Sequence, residues 1–296
     1  MILLTGATGV VGGELLPLLL ADGHEVRALV RDPRRLKSNR VHVQIALGDL
    51  ADPFSLRHAL RGVDTVIHLA ATIRDQPAGT IEELNGLATM RLLRSAERVG
   101  VERFVFFSAL NASEFQRTRF FRSKALAEQA VLAASLEATV FAPSIVYHPS
   151  DRWIGLLERL ALLPAVPLSG TGEALYEPIS ARDVARCVLA ALDGAGAEAS
   201  RRYELAGPER LSYEQVVRRV LEAVGRQRPL VRIPLPVVRL GLRGLEWLEG
   251  EDVFATWEEA ELMEVSMVSG HGTADAERLG VEPQPLGQVL AGQLGQ

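Results

Sequence analysis

The chain has 296 residues, 48% of them hydrophobic, and a formal net charge of -5. This length and apolar content can bury a large core, and a single cysteine, Cys187, excludes a disulfide framework and suits a reducing cytoplasm. The mild acidity argues against a general nucleic-acid binder, whose affinity comes from clustered basic residues. No apolar stretch at the start is long enough for a signal peptide or a membrane span, so we expect a cytoplasmic protein without stable membrane insertion.

The first predicted element is a short apolar strand that runs into a glycine-rich turn. Residues 1–4 read MILL, residues 5–12 read TGATGVVG, and the apolar residues that follow have helical spacing. Gly6 permits a tight turn, Gly9 lets backbone approach a pyrophosphate, and Gly12 lets the helix pack closely on the strand. This pattern predicts dinucleotide binding rather than a simple packing turn. The predicted contacts are Thr5, Gly6, Thr8, Gly9, Val10 and Gly12.

The second strand, at residues 24–30, ends where a dinucleotide fold meets the adenosine ribose. Arg31 comes first at this tip, with Arg34 and Arg35 behind it. A guanidinium group can bind a 2′-phosphate through two charge-assisted hydrogen bonds, so the sequence favours NADP(H). Asp32 keeps NAD(H) possible, because a shift of one residue would present a carboxylate to the ribose hydroxyl.

Three further strands, at residues 41–47, 63–71 and 103–107, alternate with helical segments. Strands and helices that alternate over short connections predict a Rossmann-like, doubly wound α/β fold with a parallel sheet. Asp49 follows the third strand and could accept a hydrogen bond from the adenine amino group. Further cofactor contacts are expected where these strands end, at Asp49, Leu50, Leu69, Ala70 and Ala71.

Several short motifs follow one another along the chain: TGATGVVGG, GDL after the third strand, HLAA after the fourth, FVFFSAL at the fifth and FRSKALAEQAV beyond it. They resemble the extended and atypical short-chain dehydrogenase/reductases, and are similar to the group that includes the NADPH-carrying accessory subunit of respiratory complex I and NmrA-like sensors. The resemblance implies oxidoreductase or sugar-nucleotide epimerase/dehydratase chemistry. It also implies cofactor contacts at Asn85, Ser108, Lys124 and Pro143.

Active members of that superfamily use a serine or threonine after the fifth strand, then a tyrosine and a lysine four residues apart on the next helix. Residues at this spacing share one helix face, so the lysine can lower the pKa of the phenol that transfers the proton. Ser108 and Lys124 match two of these roles, but Phe120 occupies the tyrosine position. A phenyl ring has no proton to donate, so the usual general acid is missing.

Other side chains could replace the missing phenol. Tyr147, expected at the end of the sixth strand, and Tyr176 could lie near the pocket mouth, although packing positions suit both. His148 could titrate near neutral pH, and Lys124 could act as a base if it is desolvated. We take Ser108, Lys124 and Tyr147 as the catalytic candidates. Asn111 could orient a carbonyl or end a turn, and no metal-ligand spacing occurs.

The second half of the chain is richer in proline and glycine. We predict a dinucleotide-binding domain over residues 1–150, completed by about 176–206, and a small, mostly helical substrate or lid domain over about 151–175 and 207–296. Residues 237–248 and 257–265 suit lid or dimer helices better than a membrane-surface pair, so a homodimer is possible. We favour an NAD(P)-dependent enzyme acting on a small molecule; the alternative is a cofactor-binding sensor, chaperone or assembly subunit without a substrate.

Overall fold

The computed structural model describes residues 1–194, 202–249 and 256–294. Residues 195–201 of the segment expected to complete the first domain therefore lie outside the described residues. Strands and helices alternate along the first half, as the sequence predicts. The strands are β1 (Ile2–Thr5), β2 (Val26–Val30), β3 (Gln44–Leu47), β4 (Thr65–His68), β5 (Arg103–Phe107), β6 (Glu137–Pro143), β7 (Val146–Tyr147), β8 (Val166–Ser169), β9 (Leu175–Tyr176), β10 (Ile179–Ser180), β11 (Arg202–Leu205), β12 (Leu211–Ser212) and β13 (Leu230–Ile233).

Seven strands form one parallel sheet in the order β11, β6, β5, β4, β1, β2, β3. Its helices lie on both faces, which confirms the Rossmann-like α/β fold. The helices of the chain are α1 (Val10–Ala21), α2 (Pro53–Ala59), α3 (Ala88–Val99), α4 (Arg119–Leu132), α5 (Arg152–Leu160), α6 (Ala181–Leu192), α7 (Tyr213–Ala223), α8 (Leu235–Glu249), α9 (Trp257–Leu262), α10 (Ala274–Arg278) and α11 (Leu286–Leu294). None of the described helices has the length and apolar content needed to cross a membrane.

Two cores flank the sheet, one on each face. On one face α1 packs against α6, where Leu15 and Leu16 of α1 and Val184 of α6 are buried together. The other core contains side chains of α2, α3 and α4, among them Leu56 and Leu92. The sheet positions the site because its parallel strands all end at the same edge, beside the turn that follows β1.

A third core belongs to the smaller part of the chain, where α5, α7 and α11 pack around the short strands β8 and β9. Residues 276–281 of the predicted small domain pack elsewhere. Ala276 and Val281 lie in the core between α1 and the sheet, because α10 packs against the edge strand β11.

The prediction that Tyr147 ends the sixth strand is wrong. β6 ends at Pro143, whose neighbour on β11 is Leu205, the last residue of that strand. With its partner ended, the chain leaves the sheet and Tyr147 pairs instead with Ser180 of β10. The side chain of Tyr147 is fully buried in the core of the smaller part, not at a pocket mouth.

Candidate functional site

The glycine turn between β1 and α1 leaves no room for side chains at two of its three glycines. Gly6 has a φ of +73°, and a Cβ there would lie 2.7 Å from the backbone nitrogen of Ala70. A Cβ at Gly12 would lie 2.2 Å from the carbonyl oxygen of Gly6. Gly9 donates a 2.9 Å hydrogen bond to that same carbonyl, which closes the turn. Gly6 and Gly12 therefore cannot be replaced by larger residues without moving the backbone of the turn.

Helix α1 begins at this turn without a side-chain cap, because Gly9 occupies the N-cap position. The amide groups of a first helical turn have no partners within the helix, and the helix dipole places partial positive charge there. An anion such as a pyrophosphate can accept hydrogen bonds from these amides. The turn therefore fits the phosphates of a dinucleotide.

A cleft of about 530 Å³ opens at the carboxyl edge of the sheet beside this turn. Ten of the predicted cofactor residues line it: Thr5, Gly6, Thr8, Gly9, Arg31, Asp49, Leu50, Leu69, Ala70 and Ala71. Six others do not: Val10, Gly12, Asn85, Ser108, Lys124 and Pro143. Val10 and Gly12 belong to α1 behind the turn, and the carbonyl of Pro143 accepts a hydrogen bond from the amide of Leu110.

The sequence did not indicate several lining residues. Thr72, Gln76 and Leu84 line the cleft from the segment between β4 and α3. This segment contains turns and a π-helical turn at Glu83–Leu87, so it has no strand or helix periodicity that would place its side chains. Only its position directly after HLAA could have indicated Thr72.

The end of β2 carries the arginine and the aspartate on which the predicted cofactor preference depends. Arg31 and Arg35 line the cleft, and Arg31 donates a 3.2 Å hydrogen bond to the side chain of Gln76. Asp32 also lines the cleft, but its carboxylate accepts from the amide of Arg34 at 3.0 Å and caps the following 3₁₀ segment. Arg31 and Asp32 therefore each make one hydrogen bond within the protein, and the cleft is lined by two arginines and one aspartate at this point.

Lys124 lies on α4 with its ammonium group buried beneath the end of β5. Nζ donates to the carbonyl of Phe107 at 2.5 Å and lies 4.8 Å from the centre of the Phe106 ring. Burial lowers the pKa of this amine to about 7, although the carboxylate of Glu128 acts in the opposite direction. The amine can therefore exchange a proton near neutral pH. Ser108 follows Phe107, and its buried hydroxyl has no hydrogen-bond partner among the described residues.

Lys124 is expected to make the protein more stable as the pH rises. Because its pKa of about 7 in the folded protein lies below the ordinary value of 10.5, the unfolded chain binds more protons between these values, and the free energy of unfolding increases with pH. The slope is at most about 1.4 kcal/mol per pH unit, or roughly 2 kcal/mol over about pH 7.5 to 9. Urea titrations measure it, and Lys124→Met should remove this rise. An equal rise in the variant would contradict the assignment.

Phe120 lies one turn before Lys124 and is half-buried. Its ring meets that of Phe121 edge to face at 5.4 Å, and it packs beside Leu262 and Val265. Apolar side chains therefore surround the position at which related enzymes carry a phenol. Its neighbour Arg119 is engaged elsewhere, in ion pairs with Asp75 and Glu82.

The proposed substitutes for the phenol lie apart from this position or are already engaged. Tyr147 is buried in the smaller core, and burial raises the pKa of its hydroxyl. The hydroxyl of Tyr176 donates to the carbonyl of Met263 at 2.8 Å. His148 faces Glu14 at 3.3 Å across the surface. Asn111 donates to the carbonyl of Ser266 at 3.0 Å, so it holds a loop in place.

Residues 256–267, here called the strap, cross this end of the site. Thr256 and Glu259 form a capping box at the start of α9, and Glu259 also pairs with Arg74 at 2.6 Å. At the other end Ser144 donates to the carbonyl of Met267 at 2.7 Å. Together with the bond from Asn111, these contacts hold the strap against Phe120.

Comparison with known proteins identifies the family. Residues 6–195 match the family described as NAD(P)H-binding. A ceramide reductase of Caulobacter vibrioides is 30% identical over 244 residues, which cover 80% of this chain and 74% of the reductase. The chain belongs to the NAD(P)H-binding family. Its glycine turn, sheet order and motifs make it an atypical short-chain dehydrogenase/reductase, as the resemblance implied.

This atypical short-chain dehydrogenase/reductase is also similar to a respiratory subunit and, in fold, to an epimerase. Subunit 9 of the NADH dehydrogenase [ubiquinone] 1 alpha subcomplex from Arabidopsis thaliana mitochondria is 28% identical over 245 residues, covering 79% of this chain. The match spans only 60% of that subunit. The UDP-glucose 4-epimerase of Thermus thermophilus in complex with NAD superposes with a TM-score of 0.73 at 19% identity, covering 99% of this chain and 97% of the epimerase. At this identity the likeness shows the fold alone.

Proposed function

We propose that this protein binds NADP(H) in preference to NAD(H), and holds it without the fast acid–base carbonyl chemistry of the superfamily, as a cofactor-carrying subunit or sensor. Phe120 is the observation that carries the proposal, since it removes the proton donor. A general acid contributes roughly a hundredfold to ten-thousandfold to the rate, so its loss leaves only slow turnover. The relation to subunit 9 of the NADH dehydrogenase [ubiquinone] 1 alpha subcomplex supports a role as a subunit of a larger assembly.

The preference for NADP(H) is supported by the tip of β2. Arg31 and Arg35 line the cleft, where a 2′-phosphate would meet two positive charges. Asp32, which would bind a free ribose hydroxyl, caps the 3₁₀ segment with one of its oxygens. When bound, the nicotinamide ring supplies a hydride, and the residues named here would hold and orient the nucleotide.

Arg31→Ala is expected to weaken NADPH binding about tenfold, because a charge-assisted hydrogen bond to the 2′-phosphate is lost. NADH binding should change by less than about twofold, since that nucleotide lacks the phosphate. Fluorescence or calorimetric titration with both nucleotides measures the two dissociation constants.

Arg34→Ala is the matched control for Arg31→Ala. Arg34 is exposed on the same 3₁₀ segment but is not among the residues that line the cleft. Its removal should leave the ratio of the two dissociation constants unchanged. Equal losses of NADPH and NADH affinity in Arg31→Ala would contradict 2′-phosphate recognition by this side chain.

An NADPH-dependent reductase is a second candidate, and two observations favour it. The hydroxyl of Ser108 is unpartnered among the described residues and could bind a substrate carbonyl, and the buried amine of Lys124, with a pKa of about 7, could give its proton to the carbonyl oxygen. The relation to a ceramide reductase is consistent with this chemistry. Lys124 would then replace the missing phenol as the proton donor.

Mass spectrometry of the nucleotide that copurifies with the protein, followed by NADPH oxidation assays over a panel of ketones and aldehydes, tests both candidates. Retained NADP(H) with no turnover above background is the result expected for a cofactor-carrying protein. Turnover that disappears in Lys124→Met, with NADPH still bound, would establish the reductase instead. Copurified NAD(H) alone would contradict the proposed preference.

A further inference from the structure

We propose that His68 is a positioning residue of the dinucleotide cleft and holds the glycine turn and the opposite wall in one arrangement. This role rests on the cofactor binding proposed above. His68 does not line the cleft. Its imidazole is fully buried behind it, stacked on Phe106 at 5.9 Å between ring centres and edge-on to Phe104 at 6.2 Å.

A series of buried hydrogen bonds passes through His68 and joins two residues of the cleft, Thr5 and Thr72. Nδ1 of His68 lies 2.7 Å from Oγ1 of Thr5, and Nε2 lies 2.8 Å from Oγ1 of Thr89. The Thr89 hydroxyl donates to the carbonyl of Asn85 at 2.6 Å. The side-chain amide of Asn85 then binds Thr72, accepting from its amide at 2.9 Å and donating to its carbonyl at 2.7 Å. Thr5 and Thr72 both line the cleft.

The proton positions in this series of hydrogen bonds follow from the carbonyl of Asn85, which accepts from Thr89. A carbonyl only accepts, so the single hydroxyl proton of Thr89 points at Asn85, and Thr89 presents a lone pair to Nε2 of His68. Nε2 must therefore carry the imidazole proton. Burial, with a smaller effect of the Lys124 charge, lowers the pKa of His68 to about 3, so Nδ1 is unprotonated and accepts from the hydroxyl of Thr5. The neutral tautomer with its proton on Nε2 therefore satisfies the hydrogen bonds of His68 with both Thr5 and Thr89.

Beside the glycine turn, this series of hydrogen bonds lies where two strands approach each other very closely. Thr5 and His68 are direct partners across β1 and β4. The next residue, Gly6, lies so near Ala70 that a Cβ would come within 2.7 Å of its backbone nitrogen. Gly6 and Ala70 both line the cleft. The bond from Thr5 to His68 therefore adds a side-chain link to the strand pairing that brings the turn close to the end of β4.

At its other end, the series of hydrogen bonds reaches Thr72, in the segment after β4 that has little regular structure. Asn85 lies in the π-helical turn Glu83–Leu87, a rare form that often marks functional sites. Its amide also donates to the carbonyl of Ile81 at 3.0 Å. Thr72 and the loop after it are therefore held by Asn85, whose own carbonyl is oriented by Thr89.

The test compares two substitutions at His68 that differ in hydrogen bonding. His68→Gln can accept from Thr5 through its amide oxygen and donate to Thr89 through its amide nitrogen, whereas His68→Leu can do neither. We expect His68→Leu to weaken NADPH binding at least about tenfold and His68→Gln to stay within about threefold of the wild type. Val66→Ala, a buried position on the same strand, is the control, expected to lower the melting temperature while leaving the dissociation constant unchanged.

Nitrogen NMR of the nucleotide-free wild-type protein reads the tautomer directly, and a proton on Nε2 is expected throughout neutral pH. A proton on Nδ1, or wild-type NADPH affinity in folded His68→Leu, would overturn the role of His68. If His68→Leu does not fold, Thr89→Val interrupts the same series of hydrogen bonds one link later, and unchanged affinity there would overturn it equally. A wild-type protein that binds neither NADPH nor NADH would overturn the proposed function itself.

Discussion

Gly12→Ala is expected to weaken NADPH binding by on the order of a hundredfold, because overpacking a tight backbone contact costs up to several kcal/mol. The added Cβ would lie 2.2 Å from the carbonyl oxygen of Gly6. Neither atom belongs to a flexible side chain, so α1 must move away from the turn. That movement displaces the helix amides that the pyrophosphate needs. Calorimetric titration with NADPH measures the loss.

Gly13→Ala is the matched control for this prediction. It adds the same methyl group to the same helix one residue later, where nothing lies within 4 Å of the new Cβ. Binding should stay at the wild-type level, and stability should rise by about 0.4 to 1 kcal/mol because alanine restricts the unfolded chain. Equal NADPH affinity in the two variants would show that the closeness of α1 to the turn does not govern binding.

Phe120→Tyr is expected to raise NADPH-dependent carbonyl reduction by on the order of a hundredfold, because it restores a general acid one turn before Lys124. The ring already has the required shape, and Phe120 is only half-buried, so a hydroxyl can be added to it without entering a closed core. Lys124, one helical turn further along α4, can lower the pKa of the new phenol through its charge. Rates of NADPH oxidation with a panel of ketones and aldehydes measure the gain.

Two variants keep the Phe120→Tyr result interpretable. Phe120→Leu changes the same side chain without adding a hydroxyl and should give no gain. The double variant Phe120→Tyr with Lys124→Met should lose most of the gain, because the phenol then has no neighbouring cation. No gain with any substrate, in a variant that still binds NADPH, would mean that the site lacks more than a proton donor.

The glycine turn could be predicted because its requirements are local. Gly6 needs a positive φ and Gly12 needs the absence of a side chain, and both demands are met within eight residues of sequence. The alternation of strands and helices predicted the parallel sheet for the same reason. The edge of that sheet then placed Asp49 and Ala70 on one cleft, although they are distant in sequence.

The remainder of the site depends on contacts that no local pattern encodes. Thr72 and Gln76 reach the cleft from an irregular segment. The side chain of Asn85 binds Thr72 of that segment, and the Asn85 carbonyl accepts from Thr89 of α3, which also contacts His68 of β4. Tyr147 was misplaced because the end of β6 is set by where its neighbour β11 stops. Such information lies in the partner strand, not in the sequence around the residue.

The packing of α1 against α6 has a consequence for biosynthesis. Leu15, Leu16 and Leu19 of α1 are covered by Val184 and Val188 of α6, which the ribosome adds more than 160 residues later. The dinucleotide turn is thus synthesised well before the helix that covers α1. Until α6 arrives, the nascent chain carries an apolar helix face that chaperones would recognise. A truncated product ending before α6 would keep that face permanently uncovered and would be prone to aggregate.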